Sequence, residues 1–149
     1  MHACRRLTGS AAVSALVVPM LVACGGSSSG GANASCVGPY LDDQQPGGRY
    51  GAPAPTVTTG ETLTVYGHGY TSTCNDTGGD DPQEPLAPVH LTLTLPGARV
   101  VPLGEFTPHG RDMGFKADVH IPRGTRGGTA MIRDDQTNPV TYRFKVATE

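Results

Sequence analysis

The chain has 149 residues, room for one modest domain once targeting segments are set aside. Its formal net charge is -2; Arg5 and Arg6 belong to the leader described below, and without them 9 basic residues face 13 acidic ones, a balance of -4 that argues against a nucleic-acid-binding surface. With 37% hydrophobic residues, 21 Gly, 13 Pro and no Trp, the composition suits a turn-rich, thinly cored all-β domain.

Arg5 and Arg6 precede an uncharged, mostly apolar stretch over residues 7–23, the layout of a secretory signal peptide. A membrane-spanning anchor is the alternative. The stretch is shorter than the roughly 20 apolar residues a span needs, and it carries Thr8, Gly9, Ser10, Ser14 and Pro19. It ends in Leu21-Val22-Ala23-Cys24, followed by Gly25-Gly26. This tetrapeptide resembles the bacterial lipobox: an aliphatic residue, a tolerant position, a small residue and the cysteine. The resemblance implies cleavage between Ala23 and Cys24, a diacylglycerol on the Cys24 thiol, and attachment to the extracytoplasmic face of the cell membrane. Two acyl chains, at about 0.8 kcal/mol per buried CH₂, hold such an anchor stably where a single chain is marginal.

Residues 24–35 continue as Gly/Ser-rich sequence with nothing to bury, a flexible tether with a reach of about 15–20 Å. Cys4 leaves with the leader, so Cys36 and Cys74 are the pair expected to oxidise outside the cytoplasm. Their bridge closes a loop of about 38 residues and stabilises by about 4 kcal/mol on the chain-entropy model. Neither redox-pair nor metal-thiolate spacing is present around them.

Beyond Cys36, apolar and polar residues alternate in short runs bounded by Gly or Pro. The pattern predicts strands over 61–66, 89–95, 115–121 and 140–146, with weaker candidates over 56–58, 99–106 and 128–133. Pro102 marks the 99–106 strand as an edge strand or a bulge. The stretch 37–55 shows little strand pattern. Seven strands with one apolar face each and no helix to cover them must pack sheet against sheet, as an antiparallel sandwich. Two segments, Thr59-Gly60-Glu61-Thr62-Leu63-Thr64-Val65-Tyr66-Gly67-His68-Gly69-Tyr70 and Gly114-Phe115 through Ile121-Pro122 with Gly127-Gly128-Thr129-Ala130, resemble the immunoglobulin-like domains of bacterial surface proteins. That resemblance implies an immunoglobulin-like β-sandwich over residues 36–149, without the buried Trp of antibody domains.

Catalytic chemistry has little to stand on. Ser72 is the only serine beyond the tether and lacks a Gly-x-Ser-x-Gly elbow, and three Phe and five Tyr are few for a glycosidase cleft. The histidines His68 and His109 fall in turns, while His90 and His120 fall on outward strand faces. If their strands were neighbours, His90 and His120 could take Zn²⁺ or Cu²⁺. The acidic run over residues 75–84 could offer oxygen ligands to Ca²⁺, although it is also what a long solvated turn contains. The reading is therefore a lipid-anchored, non-catalytic envelope module without cofactor, binding an unidentified envelope protein partner and no nucleic acid. A small metal-binding envelope lipoprotein is the alternative.

Overall fold

The computed structural model describes residues 38–73 and 83–149. The expected leader 1–23 with Ala23, the tether 24–35 with Cys24, both cysteines of the expected bridge (Cys36 and Cys74) and residues 75–82 of the acidic run lie outside the described residues.

Among the described residues, eight strands form two sheets: β1 (Tyr40–Asp42), β2 (Thr56–Thr58), β3 (Thr62–His68), β4 (Val89–Thr94), β5 (Val100–Phe106), β6 (Phe115–His120), β7 (Gly128–Asp134) and β8 (Thr141–Ala147). One sheet has the order β1-β3-β6, the other β2-β8-β7-β4-β5. Only β4–β5 and β7–β8 are hairpins within a sheet. The chain changes sheet between β1 and β2, β2 and β3, β3 and β4, β5 and β6, and β6 and β7. This crossing two-sheet order is that of an immunoglobulin-like β-sandwich.

Alternation places the core. Phe115, Ala117 and Val119 of β6 point inward while Lys116, Asp118 and His120 point out; Tyr142, Phe144 and Val146 of β8 are buried between exposed Thr141, Arg143 and Lys145. Val65, Val89, Leu91, Leu93, Ile121 and Ile132 complete the centre between the sheets. Gly67 stands opposite Phe115 in the β3–β6 register, and the Phe115 ring lies across it so closely that any side chain at 67 would collide. The same ring meets Tyr70 at 4.9 Å and Phe106 at 5.4 Å, closing one end of the core.

The structure corrects the sequence expectation in three places and closes the condition set on the His90 and His120 pair. An additional strand, β1, lies within the stretch 37–55; three residues with a single buried side chain, Leu41, are too few to show alternation. The β2–β8 pairing is parallel, whereas every other pairing is antiparallel. β3 runs on to His68, which is buried in the strand rather than exposed in a turn. His120 is on β6 of the three-stranded sheet and His90 on β4 of the other, so their strands are not neighbours. Pro102 behaves as expected twice over: β5 is an edge strand, and its register against β4 slips by one residue where Leu91 faces Gly104 and Thr92 faces Pro102.

These pairings define two ends of the sandwich. Tyr40 opposite His68, Gly67 opposite Phe115 and Arg133 opposite Thr141 mark the leading end, where the described chain enters. The turns 59–61, 95–99 and 121–127 form the far end, about 20 Å away along strands of six or seven residues.

Candidate functional site

At the leading end, polar side chains are buried in pairs. His68, 5% exposed, puts Nε2 3.1 Å from Asp42 Oδ1 and 3.0 Å from the Gln44 carbonyl, and Nδ1 3.1 Å from Asp112 Oδ2. Only acceptors face the ring, so whichever nitrogen donates finds a partner. Tyr40 stacks on the imidazole at 4.7 Å, and burial, then the Asp42 and Asp112 carboxylates, raises its phenol above the ordinary range. Two carboxylates on opposite edges of an imidazole cannot share one metal ion. The cluster ties β1, β3 and the 107–114 connection together, which the backbone bonds from Gly69 N–H to the Asp112 carbonyl and from Tyr70 N–H to the Met113 carbonyl reinforce.

Deeper in, the Tyr70 hydroxyl donates to Asp134 Oδ2 at 2.9 Å, while Asp134 Oδ1 accepts from the backbone N–H groups of Val140 at 2.9 Å and Gln136 at 3.3 Å. Both side chains are buried, which is tolerable because each polar atom has its partner. Burial first, then the Asp134 charge, pushes the Tyr70 phenol far above its usual range. Tyr142 is also held protonated, by burial and then by the nearby Asp43 and Asp42 carboxylates, yet its hydroxyl is buried without a partner in hydrogen-bonding geometry.

The surface histidines do not assemble. His90 donates from its backbone N–H to Asp135 Oδ1 at 3.0 Å, and its ring lies 2.9 Å from Asp135 Oδ2 and 3.2 Å from Glu105 Oε2, on opposite ring nitrogens. That backbone bond, more than the ring, holds the Asp135 carboxyl below the usual carboxylate range. His90 and His120 face solvent on opposite sheets, with the core between them, and cannot share a metal. Among the described residues, no group of three His, Cys, Asp or Glu side chains could hold a metal ion. Ser72 donates its hydroxyl to the Glu84 backbone carbonyl at 3.2 Å, an acceptor that cannot act as a base.

The feature that composition hid lies at the far end. Arg99, Arg123 and Arg126 converge with Leu95, Pro96 and Thr125 on an open pocket of about 310 Å³. Sequence reading missed them because three arginines spread over 28 positions leave no local signal. What could have found them is the shared turn chemistry of Pro96-Gly97-Ala98-Arg99 and Pro122-Arg123-Gly124-Thr125-Arg126: Pro and Gly fix two tight turns, and each carries arginine.

No family model matches the chain, and no curated protein matches it. Among solved structures, Salmonella alpha-2-macroglobulin reacted with methylamine is similar at 13% identity and a TM-score of 0.48, over 74% of this chain and 6% of that one. Dpr1 IG1 bound to DIP-eta IG1 is similar at 12% identity and a TM-score of 0.38, over 74% of this chain and 96% of that one. The RIG-5 IG1 homodimer is similar at 8% identity and a TM-score of 0.39, over 76% and 99%. The chain thus spans a small fraction of the macroglobulin's length. The sandwich assignment stands on the strand order itself.

Proposed function

We propose that this protein is a lipid-anchored, non-catalytic binding module of the cell envelope that works through the far end of its sandwich. The observation that carries the reading is polarity along the long axis. The chain enters at the end marked by Tyr40 and His68, and the arginine-lined pocket lies at the other. An anchor at Cys24, joined by about ten residues of tether, leaves the far end as the one presented outward. Envelope attachment rests on the resemblance of Leu21-Val22-Ala23-Cys24 to the lipobox. The Cys36–Cys74 bridge belongs to the same proposal. Cys36 precedes Tyr40 by four residues and Cys74 follows His68 by six, and Tyr40 and His68 are register partners.

Replacing Cys24 with Ala is expected to abolish labelling by a clickable palmitate analogue and to release the protein from the membrane fraction; labelling that persists would sink the anchor. Photo-crosslinkers placed at Ala98 and Gly127 in cells should capture an envelope component, whereas one at Arg111, at the leading end, should capture much less. Equal capture at both ends would refute the outward-facing reading.

A further inference from the structure

The two turns that carry the arginines are held in place. In the β4–β5 connection, the Ala98 N–H donates to the Leu95 carbonyl at 3.1 Å, and the Leu95 N–H donates to the Arg99 carbonyl at 2.8 Å. Gly97 takes a φ of 90° there, which a residue with a side chain rarely adopts. In the β6–β7 connection, Thr125 donates twice to the Pro122 carbonyl, from its backbone N–H at 3.2 Å and from its hydroxyl at 2.6 Å, with Gly124 at a φ of 74°. Pro followed by a positive-φ Gly at the third position is the type II arrangement in the first turn, and the second has the same positive-φ Gly. The Pro96 ring lies so close to Gly128 that a side chain there would be crowded at 3.1 Å, so the first turn rests on the end of the second connection. The Arg123 stem in turn lies over Gly60 of the third turn at this end. The arginines therefore sit on braced turns rather than on a mobile loop.

Among the described residues, none of the three is held in an ion pair. No arginine forms an ion pair with a described carboxylate, and Glu149, which also approaches Gly60, makes none with Arg123. Among the described residues, no acidic side chain lines the pocket. In a chain whose mature part carries 13 acidic residues against 9 basic ones, three cations gathered around one open cavity repel one another with no compensation among the lining residues. A guanidinium is a planar fork that meets phosphate or carboxylate oxygens two at a time. Three such forks offer more donors and more charge than the two oxygens and single charge of one carboxylate can use, while a phosphoryl group has the oxygens to take them.

We infer that the Arg99, Arg123 and Arg126 pocket binds a phosphate-bearing ligand, either a soluble or polymer-linked phosphate or a phospholipid headgroup. This deepens the binding-module reading and rests on it only for the direction in which the pocket faces. Arg123 and Arg126 supply the forks from one turn, and Arg99 closes the pocket from the other. Because all three are solvent-exposed, affinity falls as salt rises.

The test uses the full-length protein in a neutral detergent, titrated calorimetrically with inorganic pyrophosphate and, separately, with water-soluble short-chain phosphatidylglycerol. The expected result is binding of at least one probe that weakens about tenfold or more in Arg123→Ala/Arg126→Ala and less than about twofold in Arg111→Ala, which removes a positive charge at the leading end. Unchanged melting of the double variant shows that the loss is local; if it melts early, Arg99→Ala, which leaves the Pro122–Thr125 turn intact, must show the same loss. Pyrophosphate alone binding assigns a soluble or polymer-linked phosphate; phosphatidylglycerol alone assigns a headgroup, which keeps the phosphate inference and overturns the outward-facing reading. No binding of either probe, or equal weakening by Arg111→Ala, overturns the inference. If neither probe binds while crosslinkers at Ala98 and Gly127 still capture an envelope component, the pocket chemistry is wrong and the binding-module reading stands.

Discussion

At the leading end, polar groups face each other: Tyr70 with Asp134, and His68 between Asp42 and Asp112. At the far end, Arg99, Arg123 and Arg126 face solvent without an ion-pair partner among the described residues. The way the connections are held explains the difference. The described segments 69–73, 83–88, 107–114 and 135–140 lie at the leading end, where Gly69 and Tyr70 bond to the Asp112 and Met113 carbonyls, Leu86 bonds to the Tyr70 carbonyl and the Tyr70 hydroxyl bonds to Asp134. At the far end the turns after β4 and β6 are each closed by a backbone bond of their own, Ala98 N–H to the Leu95 carbonyl and Thr125 N–H to the Pro122 carbonyl, so their arginine side chains are free to carry charge. One end closes the sandwich and the other is available for recognition.

The comparison can be broken in order of expected effect. Phe115→Ala removes the ring that seals the leading end against Gly67, Tyr70 and Phe106. It is expected to lower unfolding free energy by about 3–5 kcal/mol in urea denaturation. Asp134→Ala leaves the Tyr70 hydroxyl and the Val140 N–H without their acceptor and should cost about 2–3 kcal/mol; a loss below 1 kcal/mol would mean this network does not hold the end closed.

Tyr70→Phe probes the same network through pH. The buried phenol keeps its proton well above the ordinary value of 10.0, so above about pH 10 the unfolded chain releases a proton that the fold retains, and stability falls as pH rises. Removing the phenol should make that alkaline decline shallower, while Tyr142, shifted in the same direction, leaves part of it in place. Melting temperatures collected from pH 8 to 11 would show it, and an unaltered slope would count against the assignment. The smallest stability effect belongs to the far end. Arg123→Ala/Arg126→Ala should change unfolding free energy by no more than about 0.5 kcal/mol, since exposed side chains without partners contribute little to the fold. A loss as large as that of Asp134→Ala would erase the distinction between the two ends.

Much of the architecture was legible because a sandwich strand records its environment in its own residues. Phe115 to His120 and Thr141 to Ala147 alternate without exception, and that period of two already says which side chains meet the core. Pro102 even announced an edge and a slipped register, since a residue without an N–H belongs where a ladder bond is dispensable. Other features had no local trace. β1 holds one buried residue and owes its existence to the open edge of β3; His68 looked like a turn residue because its carboxylate partners come from positions 42 and 112.

From sequence alone came the lipobox resemblance at Cys24, the strand faces and the expectation of two packed sheets, all set by neighbours within a few residues. Tertiary structure alone decided that β2 runs parallel to β8, that His90 and His120 lie on opposite sides of the core, and that Arg99 joins Arg123 and Arg126 around one pocket. Alternation along a strand specifies which face is buried but not which strand will lie beside it, and convergence across turns depends wholly on that pairing.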